Sequence, residues 1–548
     1  MQPGPRSSAG TCRSGCWNAY CGPMPSVLCL DLGTSAAKAA LIDLDGSIHG
    51  RASCPYPTRT TADGGAEQDP QDWLRSARTA ITELLHVPGA TRDVLALSLT
   101  GQMQDLVLLD PDGAIAPAVL YSDTRAGQDA QEIHARLESE GISWDSLTAT
   151  VQDATSCAAM FRRLVRTDPD LAGRARGMVF GPAGYLAHAL GCGRWCDPTT
   201  AAATGLLEAR TGTFSGVIAR AASLDEDLLP ALTTATGQVV GRTDTAAQDL
   251  LGVPGGVPIV LAPGDAGATT LGIVGLEVGD DYAYLGTSGW LAAVIPRTAV
   301  DDGGADVTRA DVTLADRSAA TAEQAPVSHH LALAAGDDLV LRISALLAAG
   351  AAADWARAAL LGGASPAEAD ARLEEREARQ GRGPTGLLAL PSIHGERYPV
   401  RDGDLRAALV GMGPRTRDID MYAAVLEGVA HALVSAISAP SRSDRSTGER
   451  SRPLAVAGGG TASAPWLRIL ADVTGREVRA VDGADAALVG CALAAADELG
   501  MDHSIRPLAF RSGGRTVAPD PSAARAHAVM RDAHRALYTA VAAVRALH

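Results

Sequence analysis

Apolar and polar positions fall into short, well-separated runs along most of the chain. VLCLDLG (27–33), apolar but for Asp31, predicts a buried strand. A turn of small residues follows, then AALIDLDG (39–46), a second strand, so the two form a hairpin with Asp31 at its mouth. LALSLTG (95–101) and DLVLLDPDG (105–113) predict two more strands, the latter closed by a Pro-Asp-Gly turn. QDWLRSARTAITELL (71–85) and AGYLAHALG (183–191) carry the helical period. A Gly/Pro cluster at 252–258 predicts a domain boundary, dividing the chain into 25–253 and 254–548. Beyond it come a strand, PIVLAPGD (258–265), and a hairpin, DYAYLGTSGWLAAVI (281–295). Helical text runs from about 343 to 380, and LAVAGGG (454–460) is a strand entering a glycine turn. PWLRILADVTG (465–475) is a helix stopped by Gly475, REVRAVDG a short strand, DAALVGCALAAADELG (485–500) an apolar helix and 521–547 a last one.

The tetrapeptide LGTS occurs at 32–35 and again at 285–288, each time at a hairpin turn near the start of a predicted domain. Recurrence in one structural context points to two related α/β domains facing each other. The length of 548 residues agrees, being too long for one ordinary core.

Net charge is −16, and the arginines form no run beyond short pairs. Such a chain is a poor ligand for nucleic acid or anionic membrane, since phosphate backbones demand clustered positive charge. No apolar run reaches the 18 residues of a membrane span, and sparse cysteines fit reduced thiols in the cytoplasm. Cys12 with Cys16 and Cys192 with Cys196 have a spacing zinc can use, but the pairs are far apart in the chain. Residues 1–24 lack both periodicity and the apolar core of a signal peptide, and read as a disordered or non-native extension before Met24. The acidic stretch 298–325 has no clear period.

A strand–Gly-Thr-Ser–strand hairpin offers backbone N–H groups and hydroxyls at a turn where glycine admits a phosphate closely. Two such turns can clamp a polyphosphate. Asp31 is placed to hold Mg²⁺, usually through water. Lys38 is the single lysine among 47 Lys and Arg side chains. It either reaches a phosphate as a point charge or is a solvated hairpin residue. Asp265, in APGDAGATTLG, suits a general base for a hydroxyl nucleophile, and equally a helix N-cap. AGGGTASAPWL (457–467) has three glycines between strand and helix, against which a flat purine can lie. The P-loop, dinucleotide, nucleophile-elbow and HExxH patterns are absent.

Taken in order, DLGTSAAK, EQDPQDW, TGQMQDLVLLD, YSDTR, GDAGATTLG, YLGTSG, LPSIHGER, LEGVAHAL and GGGTASAPWLRILADVTG resemble the FGGY carbohydrate kinases, especially the xylulokinase-like branch, over about 26–500. The resemblance implies two actin-like (ribonuclease H-like) α/β domains flanking a catalytic cleft, and ATP-dependent phosphorylation of a sugar or polyol hydroxyl. It implies Asp265 as catalytic base and Asp31 as the Mg²⁺-associated aspartate. Gly33, Thr34, Ser35, Gly286, Thr287 and Ser288 fall on the phosphate loops, Lys38 near the γ-phosphate, and Gly458, Gly459 and Ser463 on the adenine side. Gln102, Met103, Gln104, Asp123 and Arg125, with Asp265, fall on the sugar side. Two departures bear on substrate: Gln104 stands where xylulokinases typically carry His, and Tyr121 where Trp is usual. The acceptor therefore stays open between xylulose and another ketose, polyol or sugar acid. An actin-like ATPase switch and a non-catalytic binding protein are rivals of another class. A homodimer is also left open.

Overall fold

The computed structural model describes residues 25–85, 93–301, 328–334, 339–437 and 452–545. The readings of 1–24, with Cys12 and Cys16, and of most of 298–325 lie outside them.

The first half contains β1 (Pro25–Leu32), β2 (Ala36–Asp43), β3 (Ile48–Pro55), α1 (Pro70–Leu85), β4 (Asp93–Gly101), β5 (Leu106–Asp110), α2 (Pro198–Ala203), β6 (Gln238–Arg242) and β7 (Pro258–Leu261). Its main sheet has the order β6-β7-β4-β1-β2-β3. The β1–β2–β3 meander is antiparallel, whereas β4 and β7 run parallel to β1. The second half contains α3 (Asp265–Ile273), β8 (Asp281–Leu285), β9 (Gly289–Pro296), β10 (His329–Ala332), β11 (Leu339–Leu346), α4 (Gly350–Leu360), α5 (Pro366–Gln380), α6 (Asp418–Val434), β12 (Leu454–Ala457), α7 (Ala464–Thr474), β13 (Val478–Ala480), α8 (Ala486–Glu498), β14 (Thr516–Val517) and α9 (Pro521–Arg545). Its sheet has the order β10-β11-β9-β8-β12-β13-β14. Here β8, β9 and β11 form the antiparallel meander, and β12 and β13 run parallel to β8. The two sheets thus repeat one pairing scheme around β1 and β8, and each LGTS segment is the turn leaving that central strand.

β1 reads as a continuous apolar run because both of its faces are covered. Leu28, Leu30 and Leu32 pack with Trp73, Ala77 and Ile81 of α1. Val27 and Cys29 face the other way, onto Leu488, Ala492 and Ala495 of α8. Helices α3 and α8 fill the space between the sheets: Leu271 and α8 join the first sheet's core, while Ile273 and Ala486 join Tyr282, Ala292 and Ala455 of the second. They cross so closely that a Cβ on Gly272 would lie 1.9 Å from the Ala486 carbonyl oxygen, and one on Gly490 2.0 Å from that of Ala268. The Arg51–Asp485 ion pair, at 2.6 Å, fastens β3 to the start of α8.

The first sheet runs on past the Gly/Pro cluster, where β7 pairs with β4. One expectation needs correction: helical structure does not begin at 343. LVLRISAL is β11, with eight residue pairs to β9, and the helix starts only at Gly350.

Candidate active site

Both Gly-Thr-Ser turns have the same polarity. In the first, the Gly33 carbonyl accepts from the Tyr56 hydroxyl, the Thr34 carbonyl from Gln68 Nε2 at 2.7 Å, and the Ser35 carbonyl from the Tyr56 N–H at 3.2 Å. In the second, the Gly286 carbonyl accepts from Gly350 N at 2.8 Å, and that of Thr287 from Ala349 and Ala351 N, both at 3.0 Å. The carbonyls are tied back. The N–H groups of Thr34, Ser35, Thr287 and Ser288 have no acceptor among the described residues. Turns of this polarity attract anions.

Lys38 lies in β2, just past the turn, exposed and directly opposite Asp31. The Asp31 carboxyl is buried, and its Oδ1 has no hydrogen-bond partner among the described residues. Burial raises its pKa and the Lys38 ammonium opposes that rise. A carboxylate oxygen without a partner beside a Gly-Thr-Ser turn fits Mg²⁺, which takes one or two carboxylates and completes its shell with water and phosphate oxygens. Among the described residues, no three His, Cys, Asp or Glu side chains are grouped to enclose a metal by themselves. Cys192 and Cys196 are free thiols in such surroundings, so the zinc spacing assembles nothing there.

Asp265 is the first residue of α3 and Gly264 its N-cap, so the aspartate is not the capping residue. Burial, followed by the neighbouring charge of Asp31, pushes its carboxyl up to about 7; the Ala266 N–H opposes this and Asp197 adds to it. A carboxylate titrating near neutrality is matched to proton transfer from a hydroxyl.

The 102–105 segment runs alongside. Gln102 is buried; its Nε2 donates to Gln68 Oε1 at 2.9 Å and its own Oε1 has no partner among the described residues. Gln68 also accepts from Trp73 Nε1 at 2.8 Å, so one side chain ties α1, the first turn and Gln102 together. Met103 packs beside Gly264, where a Cβ would lie 2.4 Å from its sulfur. Gln104 has a φ of +67°, in the left-handed region, and its amide donates to the Thr155 carbonyl at 2.6 Å. Asp105 is fully buried; Oδ1 accepts from Tyr121 N at 3.0 Å, and Oδ2 has no partner. Burial drives its carboxyl well above the usual range, against the Tyr121 N–H and with the Asp265 charge.

The expected sugar contacts Asp123 and Arg125 are paired with each other. Asp123 accepts from Ala66 N and Arg125 N and chelates the Arg125 guanidinium, which also meets Glu67 at 2.6 Å. These bonds hold both side chains in place. Ser463 is engaged too: it caps α7 by accepting from Trp466 N and donates to Asp370 at 2.7 Å. Gly458 has a φ of +95°, and a Cβ there would lie 2.6 Å from the Leu285 carbonyl oxygen, so the glycine turn rests on the end of β8. Open space surrounds Gly459.

Residues 26–272 match the FGGY family of carbohydrate kinases, N-terminal domain, and residues 312–498 its C-terminal domain. The chain belongs to the FGGY family of carbohydrate kinases. It is similar to the xylulose kinase of Escherichia coli, 26% identical over 482 residues that cover 85% of this chain and 88% of the relative. The xylulose kinase of Rhodospirillum rubrum shares the fold with a TM-score of 0.78 at 24% identity, over 95% of this chain and 99% of that one. So does a gluconate kinase from Lactobacillus acidophilus, with a TM-score of 0.76 at 20% identity and the same coverage. The protein is therefore a carbohydrate kinase with the two-domain actin-like fold of its structural neighbours, and FGGY kinases use ATP as phosphoryl donor. None of the described helices is long and apolar enough to cross a membrane.

Proposed function

We propose that this FGGY kinase transfers the γ-phosphoryl group of ATP to a hydroxyl of a small sugar, a ketose such as xylulose, with Asp265 as the base. The observation that carries the reading is Asp265 itself: a carboxylate free of capping duty, pushed to about 7 at the head of the helix between the two sheets. The xylulose kinase relatives support a ketose, while the gluconate kinase neighbour and Gln104 in place of His keep the choice of sugar an experimental one.

The acceptor hydroxyl gives its proton to Asp265 as its oxygen attacks. Thr34, Ser35, Thr287 and Ser288 present unpaired N–H groups to the phosphates, and Lys38 adds a positive charge. Mg²⁺, held through Asp31, would supply charge neutralisation on the phosphates. Met103 and Gln104 flank the acceptor, with Gln102 behind them. Gly458 and Gly459 offer bare backbone to the adenine. A cytoplasmic enzyme is part of the same proposal. Coupled ADP release with Mg·ATP against D-xylulose, other ketoses, polyols and sugar acids tests it. Turnover that depends on one acceptor is expected, and acceptor-independent turnover would favour an ATPase switch.

A further inference from the structure

We propose that Asp197, 67 residues upstream of the catalytic aspartate's N-cap, is a positioning residue that sets where Asp265 stands. The inference rests on the reading of Asp265 as base.

Asp197 is buried and caps α2, its Oδ1 accepting from Thr200 N at 2.9 Å. The same oxygen accepts a second backbone hydrogen, from Gly264 N at 2.8 Å. Gly264 is the residue before Asp265 and the N-cap of α3. One carboxylate oxygen therefore joins the first turns of two helices, α2 from the first half and α3, and fixes the backbone from which the base projects. Tight packing encloses the joint. A Cβ on Gly264 would lie 2.5 Å from Thr200 Oγ1, and one on Gly267 3.0 Å from Thr199 Oγ1. Thr199 Oγ1 itself donates to the Ala332 carbonyl of β10 at 2.8 Å. So α2 holds the base's loop on one side and a strand of the second sheet on the other.

A buried carboxylate is an expensive way to cap a helix of six residues, because burial works against its charge. A bond that only stabilised α2 would leave Gly264 N free to find another acceptor. The geometry instead gives Asp197 two donors, one on each helix. An error of about 1 Å in the base can cost on the order of 100-fold in rate.

The test compares Asp197→Ala and Asp197→Asn with wild type and Asp265→Asn, by crystal structure and by steady-state turnover with the best acceptor of the panel above. The Ala variant should show the Gly264–Asp265 backbone displaced and kcat lowered about 100-fold, with KM for ATP within about twofold. The Asn variant, whose amide oxygen still accepts from both N–H groups, should keep the wild-type loop position and most of kcat. An Ala variant with an undisplaced loop and wild-type kcat would overturn the proposal. So would an Asn variant as impaired as the Ala variant, or one that moves the loop, and this second comparison decides the matter if the Ala variant does not fold. Full activity in Asp265→Asn would refute the base assignment instead, and the loop positions are read independently of it.

Discussion

Asp31 and Lys38 stand opposite one another in the antiparallel ladder of β1 and β2, on the sheet face that carries α8. Asp31 is buried with one oxygen unpartnered, and Lys38 is exposed. The pair places a single negative and a single positive group beside the first Gly-Thr-Ser turn. Replacing Lys38 by Ala should lower kcat about 100-fold while leaving KM for the acceptor nearly unchanged, since the loss falls on the transferring phosphoryl. Lys38→Arg should restore much of it. Steady-state kinetics with both substrates varied checks this.

Gln104 should govern the acceptor and not the nucleotide. Its amide is pinned to Thr155 and its backbone holds a left-handed φ. Gln104→Ala should raise acceptor KM about tenfold or more and leave KM for ATP within twofold.

The pH profile follows from Asp265. Its carboxyl must be ionised to accept a proton, so kcat/KM for the acceptor should fall as pH drops through about 7. The same shift has a stability consequence of opposite sign. A carboxyl whose pKa is raised on folding favours the protonated native state, so stability declines as pH rises from the unfolded value near 4 through about 7. Asp265→Asn should therefore melt a little higher than wild type at pH 8, by about 2 °C, while losing activity. Calorimetry and turnover on the same preparation separate the two effects.

A different acid sensitivity lies at the C-terminal helix. The ring of His431 on α6 lies 5.5 Å from that of His527 and 5.1 Å from that of His534, both on α9. Neither nitrogen of His431 has a hydrogen-bond partner among the described residues. Burial holds His431 down to about 2 and His527 and His534 to about 4, with Arg376 and Arg531 opposing further positive charge. Unfolded histidines take up protons near pH 6.5 and these do not. Stability should be fully present above that value and fall as pH drops from 6.5 towards 4, by up to about 1.4 kcal/mol per pH unit for each histidine. Hydrogen exchange in α9 across that range reads it, and His431→Phe should flatten the slope.

The crossing of α3 and α8 tolerates no Cβ. Gly490→Ala should lower the melting temperature markedly or prevent folding, because the added methyl meets the Ala268 backbone and not a side chain that can turn away.

Much of this arrangement was legible in the chain. The hairpins were, because apolar runs broken by Gly-Thr-Ser have few other solutions, and so was their duplication. What escaped depends on contacts distant in sequence. β11 hid because LLAAGAAA downstream extends a helical signal back across a strand defined only by its pairing with β9. Nothing local marks Asp105, beside Gln104, as a buried carboxyl with an oxygen unmatched among the described residues. Asp197-Pro-Thr-Thr announces a helix start, but its second bond, to Gly264, has no local signal. Gln68 shows in EQDPQDW only as a polar residue before a helix, yet it accepts from Trp73 and Gln102 and donates to Thr34. Asp123 and Ser463 carry hydrogen bonds within the protein that residue type alone does not announce.

The most direct test is ADP release by wild type and Asp265→Asn, side by side, with Mg·ATP and with or without D-xylulose and the other acceptors. The account predicts wild-type turnover that requires one acceptor and yields its phosphate ester, with at least a 100-fold loss in the Asn variant. Acceptor-independent turnover, or an Asn variant that keeps most of its acceptor-dependent rate, would contradict it.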